Sequence, residues 1–167
     1  MEIRRATGPD WAAIRQIYND VRKRQFLWVD PASISQNDIR RDSEGEEFHV
    51  IVEKEKVVGF VSVWAPESFI HHLYIRTASQ GKGLGSMLLA FACETYPFPL
   101  TLKCVAQNLR AVEFYKKSGW EILEEGISDD GTYFLMELKG SGQDSESNVV
   151  DRFDLKRPEL FHDRNAE

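Results

Sequence analysis

The sequence predicts a single domain of the mixed α/β class, α+β in arrangement, followed by a separate tail. Short runs rich in β-branched and aromatic residues alternate with stripes repeating at i, i+3 and i+4, so strands and helices interleave. One apolar run, Phe69-Ile70-His71-His72-Leu73-Tyr74-Ile75, is followed by Gln80-Gly81-Lys82-Gly83-Leu84-Gly85, the signature of a strand turning into a helix. From Gly140 the composition shifts to Gly-Ser-Gly-Gln-Asp-Ser-Glu-Ser-Asn, a flexible linker. The domain is therefore placed at 1–139 and a flexible, charged tail at 140–167. The 167 residues suffice for one domain with a sizeable core.

Glu2 to Arg5 is a short strand, and Thr7-Gly8-Pro9-Asp10 caps a helix whose stripe is Trp11, Ile14, Ile17, Tyr18 and Val21. Phe26-Leu27-Trp28-Val29-Asp30-Pro31 reads as an apolar loop, with a second short helix over 36–41. Phe48 to Glu53 and Val57 to Trp64 form a hairpin around Lys54-Glu55-Lys56, broken off at Pro66. The strand Phe69 to Ile75 follows. The glycine turn opens a helix from Leu84 to about Tyr96, which Pro97-Phe98-Pro99 terminates because proline cannot continue it. Leu100 to Ala106 is a strand and Leu109 to Ser118 a helix stopped by Gly119. Trp120 to Ile127 and Tyr133 to Leu138 close the domain as a hairpin across Asp129-Asp130-Gly131.

No apolar run approaches the roughly 18 residues of a membrane span, and the N-terminus does not lead into a signal-peptide core. No membrane partner is expected. Cys93 and Cys104 lie in regular structure without metal-ligand spacing and read as free thiols of a reducing cytoplasm. A formal charge of −6 argues against nucleic-acid binding, which wants a basic surface. Arg76, Lys82, Arg110, Lys116 and Lys117 are a local exception, gathered where an anion would sit.

A strand, a glycine turn and a helix start make a place for a phosphate, because glycine lets the backbone approach and the first helical N–H groups point at the anion. The dinucleotide fingerprint is not met, since Ser86 stands where its last glycine belongs, and the nucleoside-triphosphate loop lacks its Gly-Lys-Ser/Thr ending. Asn108-Leu109-Arg110-Ala111-Val112-Glu113-Phe114-Tyr115-Lys116-Lys117-Ser118-Gly119 adds an amide and a phenol on a helix whose Ala111, Phe114 and Tyr115 share one face.

Together the patterns Gln-x-x-Gly-x-Gly and Asn-x-x-Ala-x-x-Phe-Tyr-x-Lys-x-Gly resemble the GNAT superfamily of acetyl-CoA-dependent N-acetyltransferases, over roughly Glu2 to Lys139. That resemblance implies a mainly antiparallel, splayed central sheet with helices on both faces. It implies acetyl-CoA as co-substrate and no metal. Gln80, Gly81, Lys82, Gly83, Leu84, Gly85 and Ser86 would cradle the pyrophosphate. Leu73 and Ile75 would bond the pantetheine and the acetyl oxygen. Asn108 and Tyr115 would flank the thioester, and Lys117 would reach an outer phosphate. Three positions depart from the family pattern: Thr77 for a frequent proline, Trp120 for phenylalanine, and Lys103 where some protein N-terminal acetylating members carry glutamate.

Deprotonating an alkyl ammonium at pH 7 costs roughly 4 kcal/mol, so a base at the site is useful. His71 fits, since strand alternation puts it on the face of Leu73 and Ile75, as in family members that acetylate aromatic amines. His72 faces the other way unless the strand bulges, which in this family it does, and a water or simple packing of His71 are the alternatives. His71–His72 as a metal pair is disfavoured because adjacent strand residues diverge. Tyr115 is the donor to the departing thiolate. Phe26 and Trp28 line the acceptor channel or pack their loop. The expected function is acetyl transfer from acetyl-CoA onto a primary amine of a small molecule, in the cytoplasm. The alternatives are a protein lysine or N-terminal acetyltransferase and an inactive CoA-binding sensor. Val149, Val150, Phe153, Leu155, Leu160 and Phe161 either stay unpaired or dock on a second copy in a homodimer.

Overall fold

The computed structural model describes residues 1–25, 27, 38–128 and 131–141. Phe26, Trp28, the expected helix start at Gln36, Asp129, Asp130 and the tail from Gly142 lie outside the described residues.

The chain runs β1 (Glu2–Arg5), α1 (Trp11–Gln25), α2 (Asp38–Asp42), β2 (Glu47–Glu53), β3 (Lys56–Trp64), β4 (Phe69–Ile75), α3 (Leu84–Thr95), β5 (Leu100–Val105), α4 (Leu109–Lys117), β6 (Glu121–Ser128) and β7 (Gly131–Leu138). The seven strands form one sheet in the order β1-β2-β3-β4-β5-β7-β6. All pairs are antiparallel except β4–β5. Parallel neighbours need a crossover, and α3 supplies it. Among the described residues no helix is long and apolar enough to cross a membrane.

The expected apolar stripe forms α1: Ile14, Ile17, Tyr18 and Val21 are buried and pack with Val50, Phe60 and Tyr74 on one face of the sheet. At the entry to α1, Asp10 accepts from Arg4 at 2.7 and 3.0 Å and from the Thr7 N–H at 2.8 Å. The opposite face buries Leu84, Leu88 and Leu89 of α3 and Ala111, Phe114 and Tyr115 of α4 against Leu73, Ile75, Leu102 and Cys104. Helices thus cover both faces, and β4 sends Leu73 and Ile75 to one core and Tyr74 to the other.

The β2–β3 turn is tighter than expected. Lys56 already pairs with Glu53, leaving Lys54 and Glu55 alone at the turn with φ of 48° and 63°. Two left-handed central residues match the right-handed twist of a hairpin, which outweighs the steric cost of non-glycine side chains there.

Gly59 on β3 lies opposite Ile75, and a Cβ there would meet Ile75 Cδ1 at 2.5 Å and the Tyr74 carbonyl oxygen at 2.8 Å. Because one of those atoms is backbone, the strand must move. Gly59→Ala is expected to destabilise the fold by about 1–3 kcal/mol, and urea denaturation measures it.

His49 is buried against Phe91 and Tyr96, with ring centroids 4.8 and 6.3 Å away. Burial is the largest influence and pushes the imidazole below its ordinary 6.5, with Glu47 opposing and Arg5 adding. The folded value is thus below the unfolded one, so the unfolded chain takes the proton first. The stability His49 contributes is complete above about pH 6.5 and is lost as pH falls toward the lowered folded value. Asp10, held down chiefly by its hydrogen bond to Arg4, acts only below its ordinary 3.8. Thermal melts of His49→Phe against the parent chain should lose their pH dependence between about pH 6.5 and 5.

Candidate active site

The β4–β5 pair lasts two residues, Phe69 opposite Thr101 and Ile70 opposite Leu102. Beyond them the strands part, and the sheet is splayed as expected. The Arg76 N–H donates to the Val58 carbonyl at 2.8 Å, toward β3. Strand alternation therefore turns the N–H groups of Ile75 and Leu73 the other way, into the opening. The opening has backbone donors on one wall and no strand meeting them among the described residues.

Both helices that follow the parted strands begin at this end of the sheet. Gly83 caps α3 with φ of 78°, a left-handed conformation that glycine adopts without strain. The first N–H groups of α3 belong to Leu84, Gly85 and Ser86, all buried. The Ser86 hydroxyl is buried with no hydrogen-bond partner among the described residues, a donor beside the helix start. Gln80 folds back, its Nε2 donating to the Ile75 carbonyl at 2.9 Å, and so ties the glycine turn to the end of β4. Gly81 is exposed with φ of 79°. Lys82 is about half exposed and 3.8 Å from Glu53. Asn108 caps α4, its side-chain oxygen accepting from the Ala111 N–H at 3.2 Å. Lys117 is exposed and pairs with Glu113 at 2.9 Å, one turn back along α4.

Tyr115 is fully buried. Its ring meets Trp120 edge-on at 5.4 Å. Burial holds the phenol well above its ordinary range, and Cys104 and Tyr74 push it further. One of those neighbours stands on β5 and the other on β4, so Tyr115 adjoins the gap between the parted strands. A phenol so displaced keeps its proton and is a hydrogen-bond donor.

His71 is the first residue past the last β4–β5 pair. The expectation that it shares the face of Leu73 and Ile75 is corrected by a bulge. Ser62 pairs with His72 and Val63 with Ile70, so His71 is the extra residue on β4. An extra residue resets the alternation. The His71 and His72 rings lie together, centroids 3.9 Å apart, with His72 facing Tyr18 and Tyr74 on the α1 side. His72 Nδ1 is 2.8 Å from the Ser62 hydroxyl. His71 Nδ1 is 2.5 Å from Glu46 Oε1, and neither side chain is more than 1% exposed.

The divergence that disfavoured a metal at the histidine pair is therefore absent. Glu46, His71 and His72 bring donor atoms within 4.8 Å of one another. Two ligand atoms on one tetrahedral zinc, at bonds of about 2.0 Å, stand roughly 3.3 Å apart. Glu46 Oε1 and His71 Nδ1 are closer than that and form a hydrogen-bonded pair. Sequence reasoning misses Glu46 because it sits in the acidic run Asp42-Ser43-Glu44-Gly45-Glu46-Glu47, which reads as solvated. A cue exists in Ser62, the one hydroxyl in the apolar strand Val57 to Trp64.

Two cavities, of about 620 and 360 Å³, flank Arg76 on the α1 side. Neither is lined by His71, Tyr115 or any residue of Gly81–Ser86, so they are separate from the strand opening. Phe26 and Trp28, the expected acceptor-channel residues, lie outside the described residues.

The model of the acetyltransferase (GNAT) family matches residues 11–120, well over half the chain. No curated protein matches. Among solved structures, the ribosomal-protein-alanine N-acetyltransferase of Brucella melitensis is similar at 23% identity and a TM-score of 0.61, over 83% of this chain and 99% of its own. YjaB from Escherichia coli, solved in its apo form, is similar at 22% identity and a TM-score of 0.69, over 81% and 95%. The protein yncA from Salmonella typhimurium, solved with its cofactor acetyl-CoA, is similar at 21% identity and a TM-score of 0.64, over 88% and 98%. At these identities the likeness is one of fold.

Proposed function

The chain belongs to the acetyltransferase (GNAT) family, and on that premise we propose that it moves the acetyl group of acetyl-CoA directly onto a primary amine of a small molecule. It is an acetyl-CoA-dependent acyltransferase with acetyl-CoA as co-substrate. The observation that carries the reading is the parting of β4 from β5 after Ile70 and Leu102, which leaves the Leu73 and Ile75 N–H groups facing a gap beside two helix starts.

The residues present fit the co-substrate. The N–H groups at Leu84, Gly85 and Ser86, with the buried Ser86 hydroxyl, suit a pyrophosphate. Leu73 and Ile75 extend the donor row along the pantetheine, and the Ile75 N–H polarises the carbonyl that the amine attacks. A carbon–nitrogen bond forms and the carbon–sulfur bond breaks. His71 or a water takes the proton the amine loses, and Tyr115 donates a hydrogen bond to the developing thiolate. Direct transfer is supported by the thiols. Burial pushes Cys93 and Cys104 up to about 12, so neither offers a thiolate nucleophile at neutral pH.

An acceptor other than a protein N-terminus is supported by Lys103, whose ammonium lies 4.9 Å from the Tyr133 ring centroid, at the position where some protein N-terminal acetylating members of the family carry glutamate. The test is release of free thiol from acetyl-CoA across alkylamines, arylalkylamines, amino acids, a peptide with a free N-terminus and a lysine peptide. Faster release with a small amine than with either peptide is expected. Faster release with a peptide would favour the protein acetyltransferase alternative, and release no faster than without acceptor would overturn the enzyme reading.

A further inference from the structure

We infer that residues 149–156 of the chain's own tail dock on the outer edge of β6 and pair with it as an eighth strand of the sheet.

β6 ends the sheet, and among the described residues β7 is the one strand it meets. A strand with one bare edge turns alternate N–H and C=O groups outward, a ready template for a further strand. This edge runs eight residues, Glu121–Ser128, against four for β1 at the other end of the sheet. It also holds apolar side chains in water: Ile122 is 38% exposed, Leu123 49% and Ile127 84%. Residues paired across two strands share a face. Ile122 lies opposite Met136 and Ile127 opposite Thr132, which puts both on the face where Met136 joins the core of α3 and α4. Glu121 lies opposite Glu137 and Glu124 opposite Leu135, on the other face. Leu123 is the extra residue of the bulge between Ile122 and Glu124.

The tail carries the complementary pattern. Residues 149–156 read Val-Val-Asp-Arg-Phe-Asp-Leu-Lys, eight residues that stop before Arg157-Pro158, where proline withdraws a donor. Extended, one side of them presents Val149, Phe153 and Leu155 with Asp151 among them. The other side presents Arg152 and Lys156 with Val150 and Asp154. Phe153 and Leu155 then continue the apolar row of Ile122 and Ile127, while Arg152 and Lys156 come to the side of Glu121 and Glu124. Bulges and charges ordinarily keep unrelated strands off an edge. A strand with basic residues on its polar side is the kind these glutamates admit. Glu121 already stands 3.5 Å from Lys139, a cation of the same chain just past β7.

The tether is long enough. β7 closes at Leu138, next to the Glu137 that faces Glu121 at the start of β6. Ten residues, 139–148, span up to about 33 Å, and an eight-residue strand is about 27 Å long. Val149 can therefore be brought to either end of the edge. So short a tether holds the segment at an effective concentration on the order of millimolar, which favours it over the same segment of a second copy.

The test is amide hydrogen exchange on the full chain, read residue by residue by NMR. Phe153→Asp should speed exchange about tenfold at alternate amides of β6, those turned away from β7, and leave the others near the parental rate. Leu160→Asp, beyond Pro158, should leave all of them near it. Unchanged β6 exchange in Phe153→Asp, or an equal effect from Leu160→Asp, overturns the docking of 149–156. The parent chain gives a second reading that needs no variant. NOE cross-peaks should join the Phe153 ring or the Leu155 methyls to the methyls of Ile122 or Ile127. They should vanish when an isotope filter passes only contacts between labelled and unlabelled chains. Cross-peaks that survive the filter place a second copy's tail on the edge and overturn docking within one chain. Their absence from the unfiltered spectrum overturns the pairing itself.

Discussion

Tyr115→Phe is expected to lower kcat about 10²- to 10³-fold, the usual loss when one donor aimed at transition-state charge is removed. The substitution deletes one hydroxyl and keeps the ring, so the edge-on contact with Trp120 and the packing against Phe114 persist. Acetyl-CoA affinity should change little, because a ground-state thioester sulfur is a weak acceptor and the hydroxyl contributes only as charge develops. Stability should change by no more than about 1.5 kcal/mol, the net value of an ordinary hydrogen bond. The position of the phenol between Cys104 and Tyr74, one on each parted strand, motivates this expectation. A tyrosine that only packed α4 onto the sheet would give the reverse: a stability loss with turnover intact. Single-turnover kinetics beside thermal melts distinguish the two, and near-parental kcat with chemistry rate-limiting sinks the donor role.

Gly83→Asp is expected to abolish stabilisation by acetyl-CoA. A ligand that binds only the folded chain stabilises it by about 2.7 kcal/mol at a hundredfold excess over Kd. For a domain of this size that raises Tm by roughly 5–10 °C. Aspartate at the cap of α3 puts a negative side chain where the pyrophosphate would meet the first helical N–H groups, repelling one anion with another. The left-handed φ of 78° adds backbone strain for any side chain. Gly83→Asn supplies that strain without the charge. The pair should share a lowered basal Tm, with a partial acetyl-CoA shift in Gly83→Asn and none in Gly83→Asp. A full shift in Gly83→Asp contradicts the cradle.

The order of strands and helices is legible in the sequence because each element carries its own period and stop. Pro97-Phe98-Pro99 ends α3, which closes at Thr95, and Gly119 follows α4, which closes at Lys117. The glycine turn and the Asn108-to-Gly119 segment are likewise local patterns, and they locate the opening between β4 and β5 through the family they resemble. What stays hidden is long-range. A bulge depends on how Ser62 and Val63 register against Ile70 and His72, and nothing within β4 announces it. Alternation applied through the bulge sends His71 to the wrong core. Glu46 is hidden for the same reason, since its burial arises from a partner 25 residues on. The two-residue turn at Lys54-Glu55 escapes because neither residue favours the conformation the hairpin twist imposes.

Amide ¹H–¹⁵N spectra recorded while acetyl-CoA is titrated into the protein show where the co-substrate binds. If the parted strands and the glycine turn receive the co-substrate, the largest shifts fall at Leu73, Ile75, Gly81 to Ser86 and the start of α4 from Asn108. Saturating shifts confined to the cavities around Arg76 on the α1 side, with Leu73, Ile75 and the start of α3 unmoved, would contradict it.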